Sequence, residues 1–112
     1  MKNVLLYAMT GSKMCFMHVL LNALDVKAAG GDAKIIFEGE SVKLVGGFEE
    51  EKHPLYLKAK EQGLLAGICL ACSKTLGVYE ANLASGLPML DEMNGHAGFK
   101  SYLADGWEIV SI

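Results

Sequence analysis

The sequence predicts an α/β protein, a three-layer α/β/α sandwich built around a mainly parallel sheet of about five strands. Three observations carry that reading. Short β-prone runs alternate with helical segments along the whole chain. Residues 64–72 form the longest later apolar run, as the buried middle strand of a parallel sheet requires. Capping and breaking residues stand where the pattern changes, notably Ser12, Gly30-Gly31, Pro54 and Gly63.

Residues 3–9 read as the first strand, and Thr10-Gly11-Ser12 as the turn after it. Ser12 is a good N-cap for a helix over about 13–29, which Gly30-Gly31 ends by supplying positive φ. Met14, Met17, Leu20, Leu21, Leu24 and Ala28 share one face of that helix. Phe16, Val19, Ala23 and Val26 form a second apolar stripe, leaving only Cys15, His18, Asn22 and Asp25 as a polar line. A helix with so little polar surface is expected to be covered by the sheet on one side and by a neighbouring subunit on another.

Residues 33–37 give the second strand, parallel to the first through a right-handed crossover. Residues 40–45 suggest a helical turn, and Glu49-Glu50-Glu51-Lys52 a solvated charge run. Pro54 opens a helix to about residue 62, with His53 just before it at the surface. The third strand is placed at 65–71, with short helices at 73–76 and 79–84. A weaker fourth strand at 88–91, a helix at 97–104 and a last strand at 107–112 complete the order.

Composition bounds the function. The chain has 112 residues, the size of one domain spanning residues 1–112, and 52% of them are hydrophobic with a mean hydropathy of +0.29. That apolar excess also points to a homo-oligomer. A net charge of −3 argues against a nucleic-acid partner, which calls for a basic face. Lys2 and the apolar residues 4–9 loosely imitate a signal peptide, but Thr10-Gly11-Ser12-Lys13 interrupts the run at once. No later run reaches the ~20 residues that span a bilayer, so a cytoplasmic protein with no membrane partner is expected. Cys15, Cys69 and Cys72, an odd number, read as reduced thiols rather than a disulfide framework.

In an open parallel sheet the ligand crevice lies beyond the carboxyl ends of the strands. Three segments are expected there: residues 10–15, Cys72-Ser73-Lys74, and residues 93–98 with His96. Cys72 stands where a strand passes into a helix, a place that stabilises a thiolate, and Lys74 could add to that effect. The alternative is that Cys72 is a small apolar core group. Cys69, inside the strand, is expected to be inert packing. Cys69-x-x-Cys72 would form a disulfide only if one cysteine left the strand's register. His96 could act as a general base or stabilise an anionic sulfur, or it could simply cap the next helix. Asp91 and Glu92 precede it without an assigned role. Cys15, His18, Cys69 and Cys72 together offer an alternative zinc set; otherwise no cofactor is expected. Residues 10–13 hint at a phosphate loop, but Leu6 stands where its first glycine would be. The signatures of dinucleotide enzymes and α/β-hydrolases are absent as well.

The strand leading into Met9-Thr10-Gly11-Ser12-Lys13, the segment Phe37-Glu38-Gly39-Glu40-Ser41-Val42-Lys43-Leu44, Cys72-Ser73 after the third strand, and the closing Gly106-Trp107-Glu108-Ile109-Val110 resemble the DsrE/DsrF-like family over nearly the whole chain. That resemblance implies a small α/β protein forming trimers or hexamers. It further implies a sulfurtransferase or sulfur carrier that relays sulfur as a cysteine persulfide between donor and acceptor proteins. Cys72 matches the sulfur-carrying cysteine. Cys15 and Cys69 fall outside the general family pattern, and either could resolve the persulfide as a disulfide.

Overall fold

The computed structural model describes residues 1–112 and runs β1 (Val4–Ala8), α1 (Lys13–Ala28), β2 (Ala33–Phe37), a 3₁₀ turn (Gly39–Leu44), α2 (Val45–Glu51) and α3 (Pro54–Glu61). There follow β3 (Leu65–Cys69), α4 (Leu70–Thr75), α5 (Tyr79–Ala84), β4 (Met89–Leu90), α6 (Lys100–Ala104) and β5 (Glu108–Ser111). All five strands are parallel, in the order β4-β3-β2-β1-β5. From β1 to β4 each crossover steps the same way across the sheet, and the last one returns to the far side of β1. Right-handed connections therefore place α6 on the face opposite the earlier helices. The side chains agree. Val4 and Leu6 share a groove with Asn22 and Val26 of α1, whereas Tyr7 meets Phe99, just before α6, edge-on at 5.2 Å. Helices thus flank both faces of the sheet, the expected α/β/α layering.

Ser12 caps α1 as expected, its hydroxyl accepting from the Cys15 backbone N–H at 3.2 Å. The buried face of α1 is the Phe16, Val19, Leu20 and Ala23 stripe. The Met14 and Leu21 face looks outward instead, at 75% and 49% exposure. Aromatic residues fix this choice. Phe16 stacks on Phe37 of β2 at 4.9 Å and tilts against Phe48 of α2 at 5.6 Å, and Phe48 in turn stacks on Tyr56 of α3.

The charge run is only partly solvated. Glu50, Glu51 and Lys52 are exposed, but Glu49 is half-buried and accepts from the Tyr56 hydroxyl at 2.6 Å and the Lys60 ammonium at 2.7 Å. His53 is likewise half-buried, beside the Phe48 ring, rather than a free surface residue. Strand β4 is two residues long, and α6 begins at Lys100 instead of residue 97. Ala97 and Phe99 are held against β1 instead, through the Tyr7 hydroxyl and the Tyr7 ring, and the Gly98 N–H is bonded to Glu92.

Strand β4 owes its place to Gly67. A Cβ there would stand 2.7 Å from the Pro88 carbonyl oxygen and 2.7 Å from Leu90 Cγ. Because the first neighbour is backbone, Gly67→Ala is expected to lower unfolding free energy by about 1–3 kcal/mol, read from the urea midpoint.

Candidate thiol site

The carboxyl ends of β2, β3 and β4 deliver three different chemistries to one point. Glu38 follows β2, Cys69 closes β3 with Cys72 three residues on, and His96 lies in the loop after β4. One ligand atom from each of these four residues lies within 4.8 Å of all the others. Cys72 Sγ donates to Glu38 Oε1 at 2.7 Å. His96 Nδ1 stands 3.3 Å from Cys69 Sγ, 3.5 Å from Cys72 Sγ and 3.7 Å from Glu38 Oε1.

Each side chain is held by its own local structure. The helix after β3 begins at Leu70, three residues earlier than the sequence indicates, so Cys72 sits in its first turn. Cys69 has two tasks. It closes the strand ladder opposite Leu90, and its sulfur accepts from the Cys72 backbone N–H at 3.4 Å as the helix N-cap. It is fully buried, as expected of packing, yet it belongs to the site. Glu38 is 4% exposed. Its Oε1 accepts from the Gly39 N–H at 3.1 Å, and its Oε2 lies 3.0 Å from the Tyr7 hydroxyl. That hydroxyl lies 2.7 Å from the Ala97 carbonyl as well, its single proton shared between the two acceptors, which ties Glu38 to the His96 loop. His96 is presented by a tight turn at Asn94-Gly95, both with positive φ, closed by paired backbone bonds between Met93 and His96. The Gly95 carbonyl accepts from the Ala71 N–H at 2.9 Å, fastening this turn to α4. His96 caps no helix; Phe99 occupies that position for α6.

The electrostatics reverse one expectation. Burial first, then the hydrogen bond to Glu38, push the Cys72 thiol up to about 12, so it rests protonated. A six-residue helix does not outweigh a carboxylate at 2.7 Å. Burial alone would raise the Glu38 carboxyl, but the hydrogen bonds from the thiols, Gly39 and Tyr7 hold it below the usual range. Glu38 is therefore an ionised proton acceptor beside a neutral thiol.

Cys72 is partly exposed and opens onto a cleft of about 290 Å³ shared with Met9, Gly39, Glu40, Thr75, Leu76 and His96. The other residues singled out from sequence lie apart. Cys15 and His18 are exposed on α1, outside the cluster, so the zinc set that included them is not assembled. Lys74 Nζ lies over the Tyr79 ring, 5.1 Å from its centroid. Glu92 accepts from the Gly98 N–H at 2.9 Å and shapes the His96 loop. Glu38 is the site residue that sequence reading missed. Asn94-Gly95 was the available clue to the turn that presents His96, whereas nothing local distinguishes Glu38 from its acidic neighbours.

Fold and site together define a parallel α/β protein with a thiol–imidazole–carboxylate cluster at the carboxyl edge of its sheet. The chain is 33% identical over 99 residues to "Uncharacterized protein MJ0733" of Methanocaldococcus jannaschii, an alignment covering 86% of this chain and 78% of that protein. It belongs to the same family as that archaeal protein. The fold is shared with a conserved protein of unknown function from Bacteroides thetaiotaomicron, BT1422, at a TM-score of 0.76 and 24% identity, over 99% of this chain and 95% of that one. No family model matches the sequence.

Proposed function

We propose that the protein is a DsrE-like sulfur carrier that takes sulfane sulfur as a persulfide on Cys72 and passes it to an acceptor thiol. The single observation that supports this most is the placement of Cys72 Sγ, open to the cleft and hydrogen-bonded to an ionised Glu38. As Cys72 attacks the outer sulfur of a donor persulfide, Glu38 accepts its proton, and the leaving donor thiolate takes up a proton. His96 Nδ1, within 3.5 Å, stands ready to donate to the resulting persulfide anion when protonated. A reducing, cytoplasmic setting fits three unpaired cysteines. No helix is long and apolar enough to cross a membrane. A homo-oligomer, trimer or hexamer, belongs to the same proposal, with the exposed Met14 and Leu21 of α1 as the face it would cover. The test is intact-mass spectrometry of chelator-treated protein after incubation with inorganic polysulfide. A gain of about 32 Da is expected for the wild type and for Cys15→Ser, and none for Cys72→Ser. Equal loading of Cys72→Ser removes Cys72 from the role.

A second reading, a bound zinc ion, is favoured by the spacing of the donors. Zinc bonds of about 2.0–2.3 Å in a tetrahedron put neighbouring ligand atoms about 3.3–3.8 Å apart. The His96 distances of 3.3, 3.5 and 3.7 Å all fall in that range. The Cys72–Glu38 edge of 2.7 Å would open once the thiol proton left. The ligands would be Cys69, Cys72, His96 and Glu38, with Tyr7 steadying the carboxylate from behind. Elemental analysis of protein prepared without a tag or chelator should then give close to one zinc per chain. Less than about a tenth of an ion per chain contradicts it.

A further inference from the structure

We propose that Cys69 is the resolving thiol of Cys72: it displaces the carried sulfur as sulfide and leaves a Cys69–Cys72 disulfide. This rests on Cys72 being the thiol that takes the sulfur. Three observations point to it. The two sulfur atoms belong to a group of donors mutually within 4.8 Å, and Cys69 caps the helix whose first turn carries Cys72, so the two thiols are close neighbours on one rigid turn. Cys69 is wholly buried while Cys72 opens to the cleft, so a substrate reaches one thiol and the other is reserved for the internal step. Polar partners also stand beside both thiols: Glu38 Oε1 at 2.7 Å from Cys72, and His96 Nδ1 between the two sulfurs, 3.3 Å from Cys69 and 3.5 Å from Cys72. Cys69 need not leave the strand's register, because it already stands at its last position and caps the helix that carries Cys72.

The step balances. Cys72–S–SH and Cys69–SH become Cys69–S–S–Cys72 and H₂S. The S–S bond to the outer sulfur breaks, a new S–S bond forms, and His96 relays the Cys69 proton to the departing hydrosulfide. The sulfane sulfur gains two electrons, which the two thiols lose. A dithiol reductant, of the kind a reducing compartment supplies, returns the pair to its starting state. The site would thus pass sulfur on when an acceptor thiol occupies the cleft and release sulfide when none does.

The experiment compares wild type with Cys69→Ser, since serine is itself a favoured N-cap and keeps a side-chain acceptor for the Cys72 N–H. Both are loaded with inorganic polysulfide, desalted and followed by intact mass and sulfide release. The persulfide is expected to last at least about tenfold longer on Cys69→Ser, while the wild type converts to a species about 2 Da lighter than the reduced chain. A wild-type persulfide that lasts as long as the variant's, with no lighter species, overturns the resolving role and leaves the carrier reading intact. A variant that folds, by circular dichroism, and never loads overturns the carrier reading and this inference with it. On the unaltered chain, oxidation with a thiol oxidant followed by alkylation of the denatured protein should find Cys69 and Cys72 protected together and Cys15 modified. Finding Cys69 and Cys72 still free after oxidation contradicts the pair.

Discussion

Glu38→Gln is expected to speed alkylation of Cys72 by iodoacetamide at pH 8 by about threefold or more in metal-free protein. Burial and the Glu38 hydrogen bond together hold this thiol at about 12, so only a very small thiolate fraction exists at pH 8. Glutamine keeps the shape but removes the negative charge and the strongest acceptor. The burial contribution stays, so the thiol falls only part of the way to its ordinary value. Lowering the pKa raises the thiolate fraction in full proportion, whereas the intrinsic nucleophilicity of the less basic thiolate falls with a Brønsted coefficient of only about 0.4–0.5, so the net effect is faster alkylation. The sign of the pH dependence follows. In the wild type the Cys72 rate should still be climbing at pH 10, and in the variant the rise should begin at lower pH. An unchanged alkylation rate would mean that Glu38 does not hold the thiol proton.

The second large effect concerns the scaffold. Phe16→Ala should cost about 3–5 kcal/mol of folding stability, seen as a lower urea midpoint at unchanged slope. Phe16 has no exposed surface, and its ring lies 4.9 Å from that of Phe37 and 5.6 Å from that of Phe48. Its removal leaves a cavity where α1, β2 and α2 meet, and a phenylalanine site cannot collapse onto an alanine. Phe37 immediately precedes Glu38, so the same cavity loosens the start of the segment that holds the carboxylate. A loss below about 1 kcal/mol would show that the aromatic cluster is not the centre of the core.

How far the sequence speaks depends on whether a feature is local. The alternation of strands and helices, the Ser12 cap, and the position of Cys72 just beyond the third strand all follow from short-range pattern, but the middle place in the sheet expected for that strand belongs to β2, with β3 between it and β4. The buried face of α1 does not follow from such pattern, because two apolar stripes compete on that helix and only contact with Phe37 and Phe48 decides between them. The protonation state of Cys72 is not legible in the sequence for a related reason. Helix position argues for a thiolate, but the dominant neighbour, Glu38, lies 34 residues away in sequence and reaches the thiol only through the parallel pairing of β2 with β3. The Cys15–His18 pair looked plausible on helical spacing, yet α1 presents both residues outward. Cys69 could be assigned to packing from its strand, but its capping bond to Cys72 required knowing that the helix begins at Leu70.

The most direct test is fragment-ion mass spectrometry of the polysulfide-treated Cys69→Ser protein under acidic, non-reducing conditions, which locates the added sulfur in the peptide of residues 61–74, where Cys72 is then the one remaining cysteine. The account predicts a shift of about 32 Da confined to fragments containing Cys72. A peptide of unshifted mass, with the sulfur found on Cys15 instead, would contradict it.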